Sequence, residues 1–154
     1  MSSNLRQDIF DSIEDINDLL GKYNGLFDKV KQVAPDYIEV AALGSVLQSF
    51  YNGVEGILIL IAKQIDNQMP SDNAWHQSLL NQVLETTDKR DAVISSDTAS
   101  GLAPYMKFRH FFRHSYTFML DWERLQPLVD DLEVIWHNAK EELMVFCDIF
   151  ERCS

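Results

Sequence analysis

The chain is predicted to fold as an all-α, up-and-down bundle of four to five helices. Three observations predict it. Apolar residues recur at alternating steps of three and four over long stretches. Breakers are scarce, with 6 Gly and 4 Pro in 154 residues. Finally, 46% hydrophobic and 11% aromatic residues supply a core that neither a disordered chain nor a turn-rich all-β fold would match. The length fits one domain, residues 1–154, and no internal repeat or low-complexity tract divides it.

The first helix is expected at about residues 4 to 32, where Ile9, Ile13, Ile16, Leu20, Tyr23, Phe27 and Val30 form one stripe. Pro35 fits just inside a second helix, because the first turn leaves its missing amide hydrogen unpaired anyway. That helix, about 35 to 67, carries Val40, Leu43, Leu47, Phe50, Val54, Ile57, Ile61 and Ile65. The β-branched run Ile57 to Ile61 reads as its middle turn rather than a strand, since the helical spacing holds on both sides. Ser71 or Asp72 can cap a third helix, about 73 to 87, with Trp75, Leu79, Leu80, Val83 and Leu84. Residues 88 to 100 are the least periodic and are expected to be a loop. Helical pattern returns after Pro104 up to about Leu120. Asp121 then caps a last helix, about 122 to 151, with Leu125, Leu128, Leu132, Ile135, Ala139, Leu143, Phe146 and Phe150 facing inward and Pro127 in or near its first turn.

Charge and composition narrow the function. With 13 Lys plus Arg against 24 Asp plus Glu, the formal charge is −11, which opposes general nucleic-acid binding because phosphate neutralisation supplies most of that affinity. Cys147 and Cys153 lack a metal-knuckle spacing, so free thiols in a reducing compartment are expected. The start, Met-Ser-Ser-Asn-Leu-Arg-Gln-Asp, is unlike a signal peptide, which points to the cytoplasm. The longest unbroken apolar run, Ile57 to Ala62, lies between Glu55 and Lys63 and is too short to span a bilayer. No Cys-x-x-Cys-His, Gly-rich phosphate loop, His-Glu-x-x-His or inward Glu-x-x-His pair is present, so no cofactor or metal is assigned. Glu133 and His137 read as a solvated face, and His76 receives no role. Trp75, Trp122 and Trp136 could stack bases but fit a core better. Glu55 interrupts the most apolar part of the second helix; it can pair with Arg109 or Arg113, or face solvent.

One segment differs from its surroundings. Tyr105 to Tyr116 holds three cations, two of the four histidines and no acid. On a straight helix Arg109, His110, Arg113, His114 and Tyr116 share a broad polar arc, while Phe108, Phe111, Phe112 and Met119 fill the other side. Such a helix can simply solvate its polar face. Paired Arg and His fit a chemical task better, because imidazole exchanges protons near neutral pH and guanidinium grips phosphate in a fork.

Arg109, His114 and Tyr116 form Arg-x4-His-x-Tyr, with the polar His110 directly after the Arg. This resembles the signature of the HEPN ribonucleases, specifically the HepT-like toxins of type VII toxin-antitoxin pairs, which are small all-α proteins carrying the motif on a late helix. The resemblance implies a metal-independent endoribonuclease acting on transfer or messenger RNA. Arg109 and His114 would be its catalytic pair and His110 a supporting polar residue. It further implies that a minimal nucleotidyltransferase antitoxin attaches AMP to Tyr116, placing negative charge and bulk beside the arginines. Arg109 and His114 lie about 140° apart on a straight helix, so the mechanism calls for a two-fold homodimer or a distorted turn near Pro104. A non-catalytic nucleotide-binding or docking subunit for a nucleotidyltransferase is the alternative, and a plain structural bundle the third reading.

Overall fold

In a computed structural model, which describes residues 3–116 and 119–153, the chain is the all-α, up-and-down bundle read from its sequence, with six α-helices among the described residues. They are α1 (Ser3–Lys22), α2 (Asn24–Val30), α3 (Tyr37–Ile61), α4 (Trp75–Gln82), α5 (Ser96–Arg113) and α6 (Trp122–Cys153). The count exceeds the expected four to five because the first expected helix breaks at Tyr23, whose backbone (φ −102°, ψ 8°) leaves the helical region between α1 and α2.

The central element is α3. All eight residues of its expected stripe are buried, with α1, α5 and α6 packed around them. Its start is set by Asp36, not Pro35: the Asp36 carboxylate accepts from the Glu39 N–H at 2.8 Å, and the Glu39 carboxylate accepts from the Asp36 N–H at 3.1 Å. This reciprocal cap leaves Pro35 outside the helix. At the other end, Ala62–Asp66 widens into a π-type turn, closed by Asn67 in the left-handed region at φ 54°, a conformation that asparagine tolerates better than most residues. By length and composition Tyr37–Asp66 could cross a membrane; here most of its apolar side chains, from Val40 to Ile65, pack into the core, while Tyr37 and Ile38 at its start are exposed.

Helix α4 ends earlier than expected, at Gln82, and Asp72 supplies its entry by accepting from the Ala74 N–H at 2.7 Å. The expected loop therefore moves toward the N-terminus, and α5 begins at Ser96 rather than after Pro104. Ser95 caps it by accepting from the Thr98 N–H, and Glu142 of α6 accepts from both Ser95 N–H and Thr98 Oγ1. Pro104 sits inside the helix because it and Ser100, whose carbonyl loses its partner, are both exposed to water. Pro127 in α6 follows the same rule, with Glu123 as the exposed residue one turn back. Asp121 caps α6 as expected, accepting from the Glu123 N–H at 3.0 Å. The α6 stripe is rotated slightly: Val129 and Trp136 are buried where Leu128 and Ile135 are only partly so.

Three aromatic rings lock α5 in place. Tyr105 meets Phe50 edge-on at 5.3 Å, Phe50 meets Trp136 at 5.9 Å, and the Tyr105 hydroxyl donates to the Leu128 carbonyl at 2.6 Å. The Trp136 indole N–H donates to Asn17 at 2.8 Å, so this tryptophan is core. Near the end of α5 the absence of a side chain at Gly44 lets Phe112 and Leu120 lie on α3; a Cβ there would meet them at 3.1 and 3.0 Å.

Candidate active site

Helix α5 ends at Arg113, seven residues short of the expected Leu120, and His114 is its C-terminal cap residue. Its φ of −111° and ψ of 9° turn the chain out of the helix, and its N–H bonds to the Phe111 carbonyl at 3.1 Å. The helical projection consequently fails beyond this point. Tyr116 lies outside the helix and is 71% exposed, and Met119, expected in the core, is 49% exposed. Thr117 and Phe118, also in the expected helix, lie outside the described residues.

Within the helix the apolar side is as read: Phe108 is buried, and Phe111 and Phe112 pack against the core. The polar side divides in two. His110, Arg113 and His114 are exposed, and the two imidazoles lie close, with ring centroids 4.6 Å apart. Arg109 turns the other way. Its side chain is only 14% exposed, and its Nη1 donates to Glu55 Oε1 at 3.2 Å. No hydrogen bond joins Arg109 to His114 within the chain.

Glu55 settles the question the sequence leaves open: it is buried at 3% exposure and pairs with Arg109. A carboxylate at such a depth requires partners, and α4 brings the second. His76 Nδ1 lies 2.7 Å from Glu55 Oε2 and 3.3 Å from Arg109 Nη1. As a carboxylate Glu55 only accepts, so Nδ1 carries the proton and donates to it, which also makes the Arg109 contact a proximity of two donors rather than a bond. The Trp75 ring stacks on His76 with centroids 3.7 Å apart. Tyr51, one turn before Glu55, is fully buried with its hydroxyl unpartnered, and burial followed by the Glu55 charge drives its phenol far above the usual tyrosine range, against the opposing pull of Arg109.

His76 was missed in the sequence because its partners stand on other helices; the lone signal was the opposed Glu55 in an apolar helix. Glu133 and His137 are exposed. Both cysteines are free, Cys147 buried with its thiol pushed up to about 11 by burial, Cys153 exposed. A groove of about 640 Å³ between the loop Thr87–Ser95 and the last turns of α6 shares no residue with the Arg109 cluster.

Comparison with known proteins connects the chain to a family. The family model described as HepT-like protein matches residues 42–150, which include Glu55, His76 and the whole Arg-x4-His-x-Tyr motif. No curated protein and no solved structure matches the chain. With well over half its length matched, the chain belongs to the HepT-like family.

Proposed function

We propose that the protein is a metal-independent endoribonuclease of the HEPN type and the toxin of a toxin-antitoxin pair, acting in the cytoplasm. The observation that carries this reading is the motif Arg109-x4-His114-x-Tyr116 at the end of α5, inside the segment matched by the HepT-like family. In the reaction the RNA 2′-hydroxyl attacks the adjacent phosphate. Arg109 stabilises charge on the phosphorane oxygens, His114 transfers a proton, worth roughly 10² to 10⁴ in rate, and His110 supports His114. The 4.6 Å approach of the two imidazoles fits that support.

Because Arg109 faces the α3 side and His114 faces outward, the pair is completed by a homodimer in which Arg109 of one chain meets His114 of its partner. Tyr116, exposed just past the helix end, is the residue on which a minimal nucleotidyltransferase antitoxin places AMP, adding negative charge where RNA phosphate must enter. The substrate is transfer or messenger RNA in single-stranded or looped form, whose backbone can be splayed into a focal site on an acidic protein. No membrane contact is involved.

Purified protein incubated with total RNA in EDTA tests this. Cleavage by the wild-type chain, abolished in Arg109→Ala and His114→Ala, is expected, together with a dimeric mass in analytical ultracentrifugation. Tyr116→Phe should stay toxic in cells and escape the antitoxin. A chain that binds the nucleotidyltransferase yet leaves RNA intact would instead be a docking subunit.

A further inference from the structure

Transesterification at phosphorus moves two protons at opposite ends of an in-line displacement. One leaves the attacking 2′-hydroxyl and one arrives at the departing 5′-oxygen, and a single imidazole cannot serve both in one step. The motif assigns His114 to one of these transfers, with His110 beside it as its support. The fold supplies a further histidine. His76 stands beside Arg109, its Nδ1 engaged by Glu55 at 2.7 Å, so in the neutral ring the proton sits on Nδ1 and the lone pair on Nε2. Nε2 makes no hydrogen bond and is not among the enclosed unpartnered atoms, and the side chain is 28% exposed. It therefore reaches the surface. Arg109 is oriented likewise: Nη1 is held by Glu55 and Nε is enclosed, while Nη2 is neither bonded nor enclosed. A ring nitrogen and a guanidinium N–H are thus both left for solvent by two groups that share one buried carboxylate, and Trp75 stacks on the imidazole.

We infer that His76, held by Glu55 next to Arg109, is the general base of the proposed cleavage, and that Glu55 is the positioning residue for both. The inference rests on the ribonuclease reading above. His76 Nε2 takes the 2′-hydroxyl proton as the 2′-oxygen bonds to phosphorus. The P–O5′ bond breaks, and the 5′-oxygen receives a proton from the His114 imidazolium. Atoms and charge balance, giving a 2′,3′-cyclic phosphate and a 5′-hydroxyl. The imidazolium formed on His76 remains bonded to Glu55 throughout. Among the described residues the charged groups in contact with His76 are Glu55 from α3 and Arg109 from α5; Tyr51 is near enough to both for their charges to act on its phenol.

The test is steady-state cleavage of a short oligoribonucleotide in EDTA by the wild-type chain and by His76→Gln, Glu55→Gln and His76→Gly, with thermal melting as the control for folding. His76→Gln keeps a donor for Glu55, so KM should hold while kcat falls roughly 10²-fold or more, and the rising limb of the pH profile should disappear. Added imidazole should restore part of the His76→Gly rate. Glu55→Gln should lower kcat less than His76→Gln does. Wild-type cleavage left undiminished in His76→Gln would overturn this inference and leave the ribonuclease reading standing. A fall in rate with the pH profile unchanged in shape and no imidazole rescue would also overturn it, leaving His76 a support for Arg109. Absence of cleavage by the wild-type chain would overturn both.

Discussion

Two arginines are drawn inside this protein by carboxylates, and they are built differently. Arg90 uses all five of its N–H groups. Nε and Nη2 clasp Asp66 at 2.7 and 2.9 Å, Nη2 also reaches the Gln82 carbonyl, and Nη1 serves the carbonyls of Glu85 and Asp91. Its side chain is fully buried. Arg109 makes one bond, to Glu55, and leaves Nε without a partner. A buried guanidinium with every donor used is a clamp, tying the loop after α4 to the turn after α3. One with donors left over retains hydrogen-bonding capacity for something that arrives later, and a phosphate matches that capacity in charge and geometry.

The sharpest way to break this comparison is to remove each arginine. Arg90→Ala should destabilise the fold by about 3–5 kcal/mol in urea unfolding, since it strands three carbonyls and removes the ion-pair partner of Asp66, leaving that carboxylate the Gln82 amide. Arg109→Ala should abolish RNA cleavage yet lower stability less than Arg90→Ala, because Glu55 keeps its bond from His76. If both lost stability equally, the distinction between clamp and site would collapse. Next in size is the acid response. Burial acts to raise the Asp66 carboxyl, but the hydrogen bonds from Arg90 and Gln82 and the charges of Arg90 and Lys89 outweigh it, and its pKa lies below the ordinary 3.8. The stability it contributes is present above the unfolded value near 3.8 and is lost as pH falls through the lower folded value. Asp66→Asn should therefore flatten the acid limb of a stability-against-pH curve below pH 4. The smallest change is Gln82→Ala, which deletes the 2.7 Å bond to Asp66 Oδ2 and should cost about 0.5–1.5 kcal/mol.

How much of this could be read from the chain follows from the range of the forces involved. The α3 stripe was legible because burial along a helix repeats with local spacing, and all eight positions are inside. Asp121 was legible as a cap for the same reason. The end of α5 was not: apolar periodicity runs on past Arg113, while the chain leaves the helix at His114. Likewise Pro104 suggested a start, though the exposed face around it tolerates a missing bond. The motif residues were found from their spacing, but the direction of Arg109 depends on Glu55 and His76, which are 54 and 33 residues away in sequence. Only tertiary packing brings such groups together. Glu55 carried a warning by being charged in an apolar helix; His76 carried none.

The turn at His114 divides the motif between two kinds of scaffold. Arg109 is indexed to the bundle through α5, whereas everything from His114 onward is aimed by the short connection to α6. Lengthening or shortening that connection would therefore change where the tyrosine points while leaving the arginine on its helix, so the two ends of the motif are free to vary separately on one helical frame.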